Sequence, residues 1–501
     1  MWKKLLITGC VTFSLLSGGT LSAQPSCEIK EEVTSEQLDR TQKELVAMMK
    51  ELKNDSYFQT ELDKAAVQSS LSKRMAAYKD LTVRLLSVLE IQAELEWMKP
   101  EAIQEALGIM KKSSGFDAVL ADKRFGELKS LLAGGFDGIY TGDAQAIDKA
   151  NKTLTLKRKL MLMSPDVNVD KMLTVKFDLG ERANFVGAGS LGIQPNNWSN
   201  LSSASRKNFK AQLVELSGLQ SGELSEKVLY KPAVDGSSVT DLVLNWDGKR
   251  LMFTALDTTR RWQVHELDIN NGEAKQVTNI PEPDLEFFDG TYLPDGRMLA
   301  ISNIGYQGVP CVNGSDAVGN MVLYDPSNGY LRRLTFDQDA NWHPVVMANG
   351  KVMYVRWEYT DLTHYFSRIV MHMNPDGTEQ KSLYGSGSMF PNSIFDVQPL
   401  PKHTNRFVGV ISGHHGVARS GRLMIFDPAK SRKEEKGMIQ ELPFRGRPII
   451  PEVKDELVNG VWPQFIKPYP LTDETFLVTA KLSPYSRWGI YLVDIYDNLT
   501  L

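Results

Sequence analysis

The sequence predicts a mainly β protein, a six- or seven-bladed β-propeller preceded by an α-helical N-terminal domain. Three copies of a strand–turn–strand pattern predict the propeller, at 242–255, 290–303 and 343–357. Each copy places Asp-Gly or Asn-Gly between two runs of β-forming residues, and this dipeptide accepts the positive φ angles of a tight hairpin turn. A second hairpin follows each copy. The resulting period of roughly 50 residues is typical of a four-stranded blade.

Further blades are predicted on both sides of these copies. Turn-bounded strands at 171–180, 210–218 and 226–233 indicate an irregular first blade with a polar insertion at 192–208. Two more blades follow at 395–428 and 461–497. No spare C-terminal strand is evident, so the sequence leaves open whether the 171–180 strand closes the ring or the ring is incomplete.

Apolar residues at helical spacing predict the N-terminal helical domain. Pro100, Gly115 and the pair Gly134-Gly135 interrupt this pattern, which predicts five helices in an antiparallel bundle. The predicted divisions are a signal peptide at 1–23, a linker at 24–34, the helical domain at 35–163 and the propeller at 164–501.

The first residues have the pattern of a signal peptide. Lys3 and Lys4 supply positive charge, residues 5–16 are mainly apolar, and Leu21-Ser22-Ala23 is a small-residue cleavage site. We therefore expect an exported protein, in a bacterial periplasm. The alternative is a lipoprotein anchored through Cys10, although the apolar run before that cysteine is short. After cleavage, no apolar run is long enough to span a bilayer.

Composition narrows the classes of partner and cofactor. The 501 residues carry a net charge of −4, which gives no basic field and argues against nucleic acid as a partner. Only Cys27 and Cys311 remain after the predicted cleavage, and an oxidising compartment would permit a disulfide between them. The sequence has no CxxCH motif, so we predict no c-type haem.

Four polar, aromatic segments interrupt the plain strand pattern, at 305–316, 336–344, 356–365 and 412–421. Loops at equivalent positions of successive blades lie on one face of a propeller, so we expect these segments to converge around its mouth. The sequence contains no nucleophile elbow, Walker loop, HExxH or paired CxxC motif that would indicate a specific reaction.

Histidine and cysteine side chains in these segments predict a metal site, with zinc as the candidate ion. Imidazole and thiolate are ligands that zinc prefers, although these residues have no local ligand spacing. His414 and His415 are adjacent, so only one of them would face a given ligand if the segment is extended. The alternative is that one histidine is buried and the other solvated. The candidate metal ligands are Cys311, His343, His364 and His414.

Charged and aromatic residues alternate in the third segment. One interpretation is an ion-pair network between blades, and the other is an arginine and carboxylates that hold a polar ligand at the mouth. Glu358 and Asp361 could also act as the paired acid and base of glycoside hydrolysis. The candidate ligand-binding residues are Arg356, Trp357, Glu358, Tyr359, Asp361, Trp342 and His415.

Several motifs occur in an order that resembles a known family: QGVPCV, LTFDQDANW, RWEYTDLTH, SGHHGVARSG, WPQFIKPYPL and WGIYLVDIYDN. The chain resembles, over residues 155–501, the proteins that share the middle domain of the hydrazine synthase alpha subunit, which are exported TolB/WD40-like propellers. Haem chemistry is not implied, because the CxxCH motifs of that subunit are absent. The resemblance implies a polar face built from Cys311, His343, Arg356, Glu358, Tyr359, His414 and His415.

These observations predict an exported propeller that binds a protein partner or a small polar ligand at its mouth and does not catalyse a reaction alone. Two alternatives remain open. The first is a metal- or cofactor-dependent enzyme subunit with the four candidate metal ligands at the mouth. The second is a glycan-binding or glycan-cleaving protein that uses Trp342, Trp357 and the nearby carboxylates.

Overall fold

The computed structural model of the protein describes residues 33–167, 169–179, 187–191, 198–359, 368–413 and 418–501, and the backbone of residues 5–11; the side chains at positions 190 and 311 lie outside this description. The described chain is mainly β, with helices in its N-terminal third, as predicted. The helices are α1 (Ser35–Met49), α2 (Ser56–Ala66), α3 (Leu71–Glu96), α4 (Pro100–Met110), α5 (Ala118–Ala133) and α6 (Ala144–Met161).

The described residues form six helices, one more than predicted, because residues 50–55 and 67–70 divide the first part of the domain. Thr34 and Gln37 form a capping box at the start of α1. The Ser70 hydroxyl accepts a hydrogen bond from the Lys73 amide at 3.2 Å and starts α3. These divisions contain neither proline nor glycine, the residues on which the prediction depended. No helix in the described ranges is both long and apolar enough to cross a membrane.

The strands form units of four, named here by their order in the chain. Unit 1 contains β1 (Leu5–Val11), β2 (Lys171–Phe177), β3 (Ala211–Ser217) and β4 (Ser225–Tyr230). Unit 2 contains β5 (Val239–Leu244), β6 (Arg250–Leu256), β7 (Trp262–Asp268) and β8 (Ala274–Gln276). Unit 3 contains β9 (Phe287–Tyr292), β10 (Met298–Ser302), β11 (Asn320–Asp325) and β12 (Tyr330–Arg333).

The later units follow the same order. Unit 4 contains β13 (Asn341–Val346), β14 (Val352–Trp357), β15 (Arg368–Met373) and β16 (Lys381–Tyr384). Unit 5 contains β17 (Ser393–Pro399), β18 (Phe407–Ser412), β19 (Arg422–Phe426) and β20 (Met438–Leu442). Unit 6 contains β21 (Gln464–Pro470), β22 (Thr475–Lys481), β23 (Gly489–Asp494) and β24 (Leu499–Thr500). A parallel bridge between Arg368 and Ser393 joins units 4 and 5 into one sheet.

Successive strands of a unit are antiparallel, with β1 and β2 as the one parallel pair within the described units. The first strands of neighbouring units contact each other in the order β5, β9, β13, β17 and β21, and β1 contacts both β5 and β21. Residues 171–177 therefore form the second strand of unit 1, whereas its first position is taken by Leu5–Val11. Second strands such as β10 and β18 are buried at every position, because sheets cover both of their faces.

The antiparallel order gives the sheets two different ends. Connections after the first and third strands of a unit lie at one end, named the turn face, which includes the Asp247-Gly248 and Asp295-Gly296 turns. Connections after the second and fourth strands lie at the opposite end, named the loop face. All four polar, aromatic segments of the sequence belong to loop-face connections or to strand ends beside them.

The helical domain packs against the outer parts of units 1 and 6. Leu156 and Leu160 of α6 share an apolar core with Met172 and Ile490. Lys157 Nζ donates hydrogen bonds to the carbonyl oxygens of Trp97 (2.6 Å) and Leu499 (2.8 Å). Burial lowers the pKa of Lys157 to about 8, which Glu94 opposes.

Candidate binding face and central charge cluster

Five ionisable residues occupy the same position in the first strands of units 2 to 6. Each lies six residues before a residue in the connection between the first and second strands of its unit, as Asp241 lies six residues before Asp247. Each also has a positive φ, between 51° and 54°, which is costly for residues other than glycine and persists only where the surroundings fix it. The members of this central charge cluster are Asp241, Asp289, His343, Asp396 and Lys467.

The cluster forms a closed circuit of polar contacts. Backbone amides link neighbouring units: Asp289 N donates to Asp241 Oδ2 (3.2 Å), His343 N to Asp289 Oδ2 (2.6 Å) and Lys467 N to Asp396 Oδ2 (3.0 Å). Side chains complete the circuit. His343 Nε2 lies 3.1 Å from Asp396 Oδ1, although without hydrogen-bond alignment. Lys467 Nζ lies 3.2 Å from Asp396 Oδ1 and 3.6 Å from Asp241 Oδ1.

Burial and the neighbouring charges act in opposite directions in this cluster. Burial alone would raise the pKa of Asp289 and Asp396, but His343 and Lys467 outweigh it and hold both pKa values below the usual range. Burial and the Asp289 charge raise the pKa of Asp241. Burial would lower the pKa of Lys467, but the three carboxylates raise it. The lysine is therefore the central cation of the cluster.

The cluster does not fit a divalent metal. His343 lies between Asp289 and Asp396, and Lys467 supplies the positive charge that a metal would bring. In the described ranges, no three His, Cys, Asp or Glu side chains are arranged to hold a metal ion. His343 is the one candidate metal ligand whose side chain is described. The side chains of Cys311, His364 and His414 lie outside the described residues, so a site that contains them stays a prediction.

Arg419 lies between the strands that carry the cluster and the loop face: it contacts Trp342 and Phe395, the neighbours in sequence of His343 and Asp396. Its guanidinium carbon lies 4.5 Å from the ring centre of Trp342 and 4.7 Å from that of Phe395, and only 1% of the residue is exposed. Burial lowers the pKa of Arg419 to about 10 against the opposing charge of the cluster carboxylates, so it stays a cation at neutral pH. Arg419 Nη2 donates a hydrogen bond to the carbonyl oxygen of Ser199.

Residues 198–206, named the crossing segment, run over the loop face. They belong to the polar insertion predicted in the first blade. Ser199 Oγ donates to Asp316 Oδ2 at 3.2 Å, and Asn200 Nδ2 donates to the Ala317 carbonyl. Leu201 is fully buried in the core between units 2, 3 and 4. The segment therefore ties unit 1 to the loop-face connection of unit 3 and to the core of units 2 to 4.

A polar cleft of about 500 Å³ opens beside the crossing segment, between units 2 and 3. The two arginines that line it are already paired: Arg206 Nη2 lies 2.8 Å from Glu286 Oε1, and Arg261 Nη2 lies 2.8 Å from Asp257 Oδ2. These ion pairs fix the walls and neutralise the guanidinium groups. The rest of the lining combines hydroxyl and amide side chains with two carboxylates, one tyrosine and small or apolar residues: Ser202, Ser203, Asn303, Gln307, Ser315, Asp284, Glu286, Tyr306, Pro283, Gly308, Gly314 and Ala317.

Two exposed aromatic side chains lie at the rim of the cleft. Tyr306 is 60% exposed and Phe336 is 71% exposed. Tyr306 belongs to the lining, whereas Arg333 links Phe336 to it. The Arg333 guanidinium carbon lies 4.7 Å from the Phe336 ring centre, and its Nη2 donates to Oε1 of the lining residue Gln307 at 3.4 Å. The cleft and its rim thus combine a polar floor with two accessible aromatic rings.

The predicted ligand-binding residues divide into two groups. Arg356 pairs with Glu358 and lies 3.3 Å from Asp337 Oδ1, so the ion-pair interpretation applies within unit 4 and its preceding connection. Trp342 and Trp357 are each 1% exposed, and their part in ligand binding stays a prediction. Their rings are covered by cations: Arg419 lies over Trp342, and the Arg368 guanidinium lies 4.2 Å from the Trp357 ring centre.

Of the remaining predicted ligand-binding residues, Tyr359 is described, and Asp361 and His415 are not. Tyr359 is half-buried, with its ring centre 5.4 Å from that of Trp357. Asp361 and His415 lie outside the described residues, as does Cys27 of the predicted disulfide. The glycan interpretation stays a prediction, and the two tryptophans named for it, Trp342 and Trp357, are buried.

Sequence reasoning missed most of the central charge cluster and of the cleft. Aligning the repeats on their turns, rather than searching loops, would have revealed an ionisable residue six positions before each turn. No local signal marks the cleft, because Arg206, Arg261 and Glu286 come from three separate connections.

Asp339 provides a pH test of this region. Burial raises its pKa from 3.8 to about 6, against the Tyr359 amide and Arg368, which lower it. The folded protein therefore binds more protons than the unfolded chain between these pH values, so this residue's contribution to stability is lost as the pH rises through 6. We expect Asp339→Asn to lose less unfolding free energy than the wild type between pH 4 and 7, measured by urea denaturation. Identical pH slopes would contradict the expectation.

The known proteins that this chain resembles share little sequence identity with it. No family model and no curated protein matches the chain. A solved structure of hydrazine synthase from Kuenenia stuttgartiensis has 13% identity and a TM-score of 0.48, and the match covers 66% of this chain and 44% of that one. TolB from Acinetobacter baumannii has 12% identity and a TM-score of 0.34, with coverages of 66% and 82%.

A TolB from Agrobacterium tumefaciens matches with 17% identity and a TM-score of 0.27, over 35% of this chain and 57% of that one. The chain spans less than half the length of the hydrazine synthase chain. At these TM-scores, neither the fold nor the function of this protein is inferred from the matches.

Proposed function

We propose that the protein is an exported, six-bladed propeller that binds a partner protein through its loop face and does not catalyse a reaction alone. Each of the six units would be one blade, and the central charge cluster would hold the first strands of five blades together. The observation that carries the proposal is the polar cleft with two exposed aromatic side chains at its rim.

The composition of this surface favours a protein over a small charged ligand. Both arginines of the cleft are paired, with Glu286 and Asp257, so its described lining offers no unpaired cation to an anion. Exposed aromatic rings beside a polar surface are typical of the residues that contribute most to protein interfaces. The turn face differs, because its connections in units 2 to 4 are short hairpin turns.

The proposal is tested by comparing the two faces. A photo-reactive amino acid is placed at Tyr306, at Phe336, or at Trp246, which is 63% exposed in a turn-face connection and serves as the matched control. The protein is expressed in cells that export it and is irradiated there. We expect a discrete cross-linked product from positions 306 and 336 and none from position 246. A product from position 246 alone, or equal diffuse labelling from all three, would contradict the proposal.

The predicted metal-dependent enzyme subunit remains a separate hypothesis. It depends on Cys311, His364 and His414, because the described surroundings of His343 are occupied by Asp289, Asp396 and the lysine of the cluster. A metal site would therefore have to form away from the central charge cluster.

A further inference from the structure

The first strand position of unit 1 differs from that of the five other units. In units 2 to 6, the first strand leads directly by a short connection into the second and is antiparallel to it. In unit 1, the position is occupied by Leu5–Val11, which is separated from β2 by the whole helical domain and pairs with it in parallel. This position, between β2, β5 and β21, is named the strand seat.

The walls of the strand seat are apolar. Leu173 and Val175 of β2, Val239 and Leu242 of β5, and Ile466 of β21 belong to one buried cluster. An occupant must therefore supply apolar side chains as well as backbone hydrogen-bonding groups. An empty seat would leave the inner edge of β2 unpaired, which is costly and favours pairing with another strand.

The present occupant lies within the segment that the sequence predicts to be removed on export. Leu5–Val11 falls between the positive charges of Lys3 and Lys4 and the cleavage site at Leu21-Ser22-Ala23. The nine residues that would follow cleavage, QPSCEIKEE, contain a proline and four charged side chains, which do not suit an apolar strand position. After export, the chain next to α1 offers no replacement of similar character.

The central charge cluster is complete without a residue from the seat. Lys467 Nζ of unit 6 lies 3.6 Å from Asp241 Oδ1 of unit 2, so the charge circuit passes from the last unit to the second directly. This ion pair therefore links the units on both sides of the seat without a contribution from the strand in it.

We propose that the strand seat accepts an extended, mainly apolar segment of a partner protein, which pairs with β2 and completes unit 1. Such strand addition is an established mode of peptide recognition, in which backbone hydrogen bonds give affinity and side-chain pockets give specificity. This inference rests on the proposed export, because an uncleaved N-terminus would keep its own strand in the seat.

The first step of the test separates export from the seat. The full chain is expressed in a bacterium that exports it, and the mass of the purified periplasmic protein is measured. A mass that begins after Ala23 supports export. A periplasmic protein whose mass still includes Met1 would overturn the predicted cleavage and with it the strand exchange, and a protein found only in the cytoplasm would overturn the proposed export.

The second step measures amide hydrogen exchange in β2, with β6 as the matched control because it is the second strand of unit 2. In the exported protein we expect β2 amides to exchange at least tenfold faster than β6 amides. A synthetic peptide of residues 4–12 should restore the protection of β2 saturably and leave β6 unchanged. The same peptide with Leu6→Pro and Cys10→Pro should not, because these two residues pair with β2 and proline cannot donate to a strand ladder.

Two outcomes would contradict a partner segment in the strand seat without contradicting export. Protection of β2 equal to that of β6 in the monomeric exported protein without peptide would show that the chain fills the seat itself. Protection of β2 in a dimer, detected by light scattering, would show that the occupant is a second copy of the chain.

Discussion

Replacing Lys467 with methionine is expected to lower the free energy of unfolding by about 3–5 kcal/mol, the usual cost of removing one partner from a buried ionic group. Lys467 Nζ is the cation shared by Asp396 and Asp241, and the side chain is 9% exposed. Without it, two buried carboxylates lose their main counter-charge. Urea denaturation followed by tryptophan fluorescence measures the effect.

Lys176→Met is the matched control for this prediction. Lys176 also pairs with a carboxylate, at 2.8 Å from Glu226 Oε2, but its side chain is 31% exposed. Exposed pairs contribute about 0–1 kcal/mol. Combining Lys467→Met with Asp396→Asn should recover part of the loss, because the remaining carboxyl charge is removed. Equal effects of the two lysine variants would contradict the central role of the charge cluster.

Replacing Leu201 with alanine is expected to cost about 2–5 kcal/mol, the range for deleting a large side chain from a packed core. Leu201 is fully buried and fastens the crossing segment to units 2 to 4. Its loss should also loosen the chain around Arg206 and Lys207. We therefore expect faster tryptic cleavage at these two residues in the native protein, measured by mass spectrometry.

Ser203→Ala, at an exposed position of the same segment, should change stability by less than about 0.5 kcal/mol and leave the cleavage rate unaltered. If Leu201→Ala behaved in the same way, the crossing segment would not be held as the structure shows.

The β-rich part of the fold could be predicted because its repeats carry local signals. Asp-Gly and Asn-Gly turns fix the hairpins, and the strands of units 5 and 6 lie close to their predicted positions. The breaks between α1, α2 and α3 were missed because the connecting residues 50–55 and 67–70 contain neither proline nor glycine. The occupant of the first strand position was missed because a segment with signal-peptide character carries no indication of sheet pairing.

The candidate site was predictable only in part. Tyr306 and Phe336 lie in segments that the sequence marked as unusual, whereas the cleft beside them is assembled from distant connections. Trp342 and Trp357 had the composition of a ligand platform, but sequence could not show that Arg419 and Arg368 cover their rings. The charge cluster depends on equivalent positions in five units, so it becomes visible only when the repeats are superimposed.

The binding role is tested most directly by the yield of cross-linked product at position 306 relative to position 246 in exporting cells. The proposed loop-face interface predicts a discrete product at 306 and none above background at 246. Equal yields at the two positions, or a product at 246 alone, would contradict it.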